Sequence, residues 1–149
     1  MEVRVLTLNE ETIPVLLEMS LLWEKEDITY GYVHNEVSHM EGRTILGAYN
    51  NNKMVGYLFG KIEKPERKNS IIDENTAYFE IEEIYVLKHY RNQGIGRKLF
   101  ETIEAMMKEE GIEYIFLSTA TKDTSRILNF YINDVGMSTH SARLFKKIQ

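Results

Sequence analysis

The chain opens on a short run, Val3 to Leu8 (VRVLTL), in which apolar and polar residues alternate at each step, the period of a half-buried strand. The period then lengthens. Ile13, Leu16, Leu17, Met19, Leu21, Leu22 and Trp23 make a strongly apolar, well-buried helix. Asn9 precedes it as a cap, and Glu10 and Glu11 suit the positive end of its dipole. From Glu24 to Gly42 no period dominates; a second helix is the expectation, approached by the polar segment EKEDITYGY.

Two strands, Ile45 to Tyr49 and Met54 to Ile62, flank Asn50-Asn51-Asn52-Lys53. Asparagine tolerates the left-handed backbone of a tight turn, so the pair reads as a hairpin. Lys64 to Asn75 (KPERKNSIIDEN) is a polar connection, and Ala77 to Val86 (AYFEIEEIYV) the next strand. Gly94 to Glu110 places apolar residues at 99, 100, 103, 106 and 107, one helical face, and Gly111 ends it. Tyr114 to Thr119 (YIFLST) reads as a buried strand, Ser125 to Asn133 as a helix closing near Gly136, and Met137 to Lys146 as one or two terminal strands. This order predicts a single α/β (α+β) domain built on a mixed sheet.

At 149 residues, 43% hydrophobic and 28% charged, the chain is long enough for a core and ordinary for a soluble globular protein. It has no cysteine, which excludes disulfides and thiolate chemistry by the protein. Its four histidines, at 34, 39, 89 and 140, do not cluster as metal ligands, so no metal site is expected. The N-terminus lacks a secretory pattern, and no stretch approaches the roughly 20 apolar residues of a membrane span. A cytoplasmic protein without membrane contact is the expectation. A net charge of -5 argues against nucleic acid as the main partner and suits a cationic small molecule or peptide.

The stretch that changes the picture is Arg91-Asn92-Gln93-Gly94-Ile95-Gly96, set where a strand hands over to a helix. Glycines there let the backbone turn tightly and approach a bound group. The turn leaves helix N-terminal amides free, with the helix dipole adding positive potential, so it suits an anion such as phosphate. Arg91 and Arg97 flank it with charge able to bind such an anion. Neither the GxGxxG fingerprint of dinucleotide sites nor the GxxxxGK[ST] loop of nucleoside triphosphatases is present.

Residues 81 to 111, IEEIYVLKHYRNQGIGRKLFETIEAMMKEEG, resemble the GNAT superfamily of acyl-CoA-dependent N-acetyltransferases, whose R/Q-x-x-G-x-G/A motif stands here as RNQGIG. A second likeness is Arg126 to Tyr131 followed by Gly136-Met137, similar to the family's terminal LY…GF segment. The resemblance implies a mixed, mostly antiparallel sheet flanked by helices, acetyl-CoA as co-substrate and an amine acceptor. It implies that backbone groups of Ile84, Tyr85 and Val86 pair with the pantetheine arm, and that amides of Asn92, Gln93, Gly94, Ile95, Gly96 and Arg97 hold the pyrophosphate. Tyr131 matches the tyrosine beside the cofactor sulfur. Seven residues before it, where many members carry asparagine, this chain has Thr124; Thr124 or Ser125 would supply that polar contact.

Acyl transfer to an amine needs a group to take the proton of an ammonium that titrates around 10.4, and an acid for the departing thiolate. Tyr131 is the candidate acid. The strand YFEIEEIYV offers three carboxylates for the base. Alternation puts Glu80 and Glu82 on one face and Glu83 on the other, unless a bulge resets the register. Counted back from Arg91, histone-type members resemble this chain at Glu80 and polyamine-type members at Glu82. Glu82 ranks ahead of Glu80, with Glu83 third and structural. Trp23, Glu24, Glu26, Asp27, Tyr30 and Tyr32, with Asp73 and Glu74, form an acidic, aromatic set suited to a polyamine, an aminoglycoside or a lysine side chain. Protein lysine or N-terminal amines as acceptors, a non-catalytic acyl-CoA sensor, and a homodimer are the readings this leaves beside it.

Overall fold

The computed structural model describes residues 1–149. Five strands, β1 (Glu2–Leu6), β2 (Thr44–Asn50), β3 (Lys53–Glu63), β4 (Tyr78–Val86) and β5 (Ile115–Phe116), form one sheet in chain order. The first four pair antiparallel and β5 joins β4 in parallel, so the sheet is mixed and mostly antiparallel, as expected. Helix α1 (Thr12–Glu26) lies over one face and α2 (Ile95–Glu109) over the other. A short α3 (Thr124–Asn129) runs on into a wider π turn at Phe130–Asp134.

The local signals act as the chemistry requires. The Asn9 side-chain oxygen accepts the amides of Glu11 and Thr12, each at 2.9 Å, capping the run into α1. Asn51 and Asn52 adopt φ of 50° and 64°, closing the β2–β3 hairpin. Along α2, Ile95, Leu99, Phe100, Ile103 and Met107 are buried against Leu46, Val55, Leu58 and Phe79 of the sheet. On the opposite face Leu16 and Met19 of α1 meet Ile45, Tyr57, Phe59 and Tyr85.

Three expectations fail. No second helix forms between Glu24 and Gly42; residues 27 to 43 are irregular apart from a 3-10 turn at Val37–His39. Asp27, Gly31 and Gly42 take positive φ, which a continuous helix excludes. The strand read over Tyr114 to Thr119 pairs only at Ile115 and Phe116, because its remainder diverges from β4. Residues 137 to 149 form no terminal strands, and Leu144 and Phe145 are 90% and 78% exposed. A strand needs a partner ladder, and the two-residue β5 is a short template.

One irregularity in β4 governs the site. Phe59 pairs with Glu83 but the next residue, Gly60, pairs with Ile81, so Glu82 is the extra residue of a β-bulge. Phe79 and Ile81 before the bulge, and Ile84 and Val86 after it, all pack toward the α2 side. Glu83 and Tyr85 therefore face the α1 side, on the same face as Glu80. The expected division, with Glu80 and Glu82 together and Glu83 opposite, is overturned because the extra residue shifts the side-chain period by one.

Candidate active site

Beyond the Glu80–Phe116 pair the parallel strands β4 and β5 splay apart, and a cleft of about 710 Å³ opens between them. Residues 81–86 form one wall and 117–121 the other. The Leu87 amide donates to the Val55 carbonyl, so by alternation the main-chain groups of Tyr85 turn toward β3 and those of Ile84 and Val86 turn toward the fork. Of the three residues expected to offer backbone there, Ile84 does so and Val86 does so by its amide, its carbonyl already accepting from Arg91, while Tyr85 spends its own on the ladder.

At one end the cleft reaches the glycine turn. Asn92 and Gly94 both take positive φ, 62° and 80°, which folds the chain sharply into the first turn of α2. The leading amides of that helix have no intrahelical acceptor and face an anion-accepting end of the dipole. A Cβ at Gly94 would meet no atom within 4 Å, so the turn is open to an approaching group. Arg91, Asn92, Gly94, Ile95, Gly96 and Arg97 line this end, whereas Gln93 turns away and donates to the His89 carbonyl.

The arginines are placed differently from the expectation that both present charge to an anion. Arg91 donates to the Val86 carbonyl at 2.8 Å and to Glu26 at 2.7 Å, and lies 5.3 Å from the Tyr85 ring centre. Its guanidinium braces the turn from within. Arg97 pairs with Glu101 one helical turn on. Thr124 and Ser125 start α3 at the surface, outside the cleft lining; Arg126, Ile127 and Asn129 supply that wall instead, since the helix presents its next turn.

The other end is closed by the irregular segment after α1. Thr29 bridges to Thr121, and the amides of Tyr30 and Lys122 donate to Ala120 and Ile28, tying this segment to the wall that follows β5. Beneath it Trp23 stacks on Tyr32 with ring centres 4.0 Å apart and on Tyr85 at 5.3 Å. Glu83 borders the same space. One oxygen, Oε1, accepts hydrogen bonds from Tyr57 (2.7 Å), Asn35 (2.8 Å) and Tyr32 (3.0 Å). Burial pushes the Glu83 carboxyl above its usual range, and those three bonds pull against that shift. Burial, reinforced by the Glu83 charge, raises the phenols of Tyr32 and Tyr57, so both remain protonated donors.

Glu82, at the bulge, is held by Arg43 through both oxygens, at 2.7 and 3.1 Å. Glu80 lies behind the fork and does not line the cleft; burial, with Glu63 and Glu82 nearby, raises its carboxyl. Tyr131 stands on the cleft wall in the π turn, where Val135 bonds back five residues to Phe130. Burial lifts its phenol to about 12. Of the acidic, aromatic set, only Trp23 and Tyr32 line the cleft. Glu24 pairs with His34, Asp27 with Lys122 and Asp73 with Lys68.

Tyr57, Asn35 and residues 117–121 belong to this region but carried no sequence signal. Tyr57 reads as one more apolar residue of β3, and Asn35 sits in the stretch without a period. Only the pairing of β3 with β4 and the path of the irregular segment bring Tyr57 and Asn35 to Glu83.

The mixed sheet, with its parallel pair splayed beside a glycine turn at a helix N-terminus, is the architecture that the sequence resemblance implied. The Acetyltransferase (GNAT) family pattern matches residues 7–137, and the chain belongs to that family. A 40-residue segment is 48% identical to an uncharacterized N-acetyltransferase, CT2212, of Chlorobaculum tepidum; the match spans 27% of this chain and 26% of that relative. The BH1408 protein of Bacillus halodurans, solved as a tetramutant, shares the fold with a TM-score of 0.75 at 18% identity, over 99% of this chain and 100% of that one. An aminoglycoside N-acetyltransferase, AAC(6')-Iy, in complex with CoA gives 0.68 at 15% identity, covering 99% of each chain. An aminoglycoside acetyltransferase from an uncultured soil metagenomic sample, in complex with sisomicin, gives 0.67 at 18%, over 99% of this chain and 97% of that one. No helix here is long and apolar enough to cross a membrane.

Proposed function

We propose that the protein moves the acetyl group of acetyl-CoA to a primary amine by direct attack in a ternary complex, and that the acceptor is a small cationic amine of the polyamine or aminoglycoside type. The observation that carries this is one continuous cleft with two unlike ends. An open helix N-terminus and a free strand edge stand at one end, and a carboxylate with stacked aromatic rings at the other. Family membership and a CoA-bound relative of the same fold support the donor. Fold relatives that are aminoglycoside acetyltransferases support the acceptor class.

In this reading Ile84 and Val86 pair with the pantetheine arm, and the first amides of α2 with Asn92 and Gly94 hold the pyrophosphate. Rings beside a carboxylate attract an ammonium. A carboxylate of β4 takes the proton that the amine must lose, and Tyr131 protonates the departing sulfur. With its phenol raised to about 12, Tyr131 enters the reaction protonated, as a donor must.

The test is release of free thiol from acetyl-CoA in the presence of polyamines, aminoglycosides, lysine peptides and peptides with free N-termini. Amine-dependent release is expected with the small polycations. Cofactor binding without release across the whole panel rejects the enzyme in favour of a sensor. Release with peptides alone replaces the acceptor class.

A further inference from the structure

We infer that Glu83, the carboxylate that alternation along the strand had set aside, takes the acceptor's proton, with Tyr32, Tyr57 and Asn35 as its positioning residues. This rests on the acetyl-transfer reading above and assigns a role within it.

The bulge at Glu82 turns Glu83 to the α1 side and into the cleft, where Glu80 does not reach. Its two oxygens are then unequal. Oε1 is fixed by three donors, Tyr57 from β3 and both Tyr32 and Asn35 from the irregular segment after α1. Oε2 has no protein donor and is not sealed from solvent. Ser20 extends the frame: its hydroxyl lies 2.8 Å from the Tyr32 hydroxyl and accepts the Asn35 amide at 2.7 Å. One carboxylate oxygen is thus held in place while the other is left without a protein donor, on a residue that lines the cleft with Trp23 and Tyr32.

The rival carboxylates are worse placed. Both oxygens of Glu82 are committed to Arg43, which also offsets its charge. Glu80 stands beyond the closed end of the fork, near the Lys61–Glu63 pair. The titratable groups that face Glu83 are Tyr57 from β3, Tyr32 from the segment after α1, and Glu82 on its own strand. Both phenols stay protonated and serve as donors, so neither competes for the proton. A carboxyl raised by burial also accepts a proton more readily than an exposed one.

The step balances as follows. One N–H proton of the ammonium passes to Glu83 Oε2, and the freed lone pair forms the C–N bond to the acetyl carbon as the C–S bond breaks. The nitrogen then loses its second proton, through solvent, to the Tyr131 oxygen. The Tyr131 hydroxyl supplies one to the sulfur and regains one, so each turnover delivers one proton to solvent by way of Glu83.

The experiment compares Glu83→Gln, Glu82→Gln and Glu80→Gln with the wild type on its best amine. Glutamine at 83 keeps an oxygen for the three donors. Its kcat/KM for the amine is expected to fall by about 100-fold or more at neutral pH, with KM for acetyl-CoA unchanged. The deficit should shrink as pH rises toward about 10, where free amine is supplied by solution. The Glu82 and Glu80 variants should stay within a few-fold of wild type. In Tyr57→Phe, loss of one donor should move the acidic limb of kcat/KM to higher pH. Near-normal Glu83→Gln activity, a deficit independent of pH, or an acidic limb that stays put overturns this assignment alone. Absence of amine-dependent turnover by the wild type overturns it together with the proposed function.

Discussion

The Arg91 guanidinium and the Glu26 carboxylate meet at 2.7 Å across the gap between the glycine turn and the last turn of α1, and the Tyr85 hydroxyl donates to the same carboxylate oxygen at 2.8 Å. Both charged side chains are largely buried, 18% and 17% exposed. This pair ties the anion-accepting turn to the helix that carries Trp23, so the two ends of the cleft share one support.

Glu26→Gln is therefore expected to loosen the turn from a distance. Arg91 keeps its bond to the Val86 carbonyl but loses the charge that neutralises it, at a cost of about 1–3 kcal/mol in stability. KM for acetyl-CoA should rise about tenfold, with kcat less affected. Steady-state kinetics with acetyl-CoA varied would show it, and a fall in kcat alone would contradict the bracing role.

Tyr131→Phe removes the hydroxyl proposed as the acid while leaving the ring in the wall. A drop in kcat of about 10- to 100-fold is expected, with little change in cofactor affinity by calorimetry. An unchanged kcat would leave the tyrosine a packing role only.

Glu83→Gln should separate stability from activity. The folded-state carboxyl is raised above its ordinary 4.5, so the native protein binds the proton more tightly than the unfolded chain does. The wild type should lose stability as pH rises from that value through the raised one, because the buried site must then ionise. The glutamine variant lacks this loss. Its Tm should equal or exceed that of the wild type at neutral pH and vary less across the window, measured by thermal melts from about pH 4 to 8.

Gly60→Ala tests the bulge. A Cβ there would stand 2.1 Å from the Glu80 carbonyl oxygen, a main-chain atom that cannot rotate away. The strands would have to separate, at about 3 kcal/mol or more, lowering Tm by about 10 °C. A melt within a degree or two of wild type would show that β3 and β4 are free to part there.

Much of this architecture was legible in the order of residues. The Asn9 cap, the three-asparagine hairpin and the apolar stripe of α2 are short-range features, decided within one or two turns of chain. So was the turn at Asn92 and Gly94, since glycine and asparagine adopt left-handed backbone where other side chains resist it. Where partners came from afar, reading failed. The segment from Glu24 to Gly42 has no period because it is held by Ser20, Trp23, Thr121 and Glu83 rather than by itself.

By itself, then, the sequence determined the sheet's first four strands, its two main helices and the glycine turn between β4 and α2, because each is specified by neighbours along the chain. The tertiary structure alone decided that Glu83 shares the α1 face of the sheet with Glu80, since one bulged residue at Glu82 reverses the face of every side chain after it. It also decided that Arg91 braces the turn against Glu26, because a charge read from sequence carries no record of its partner.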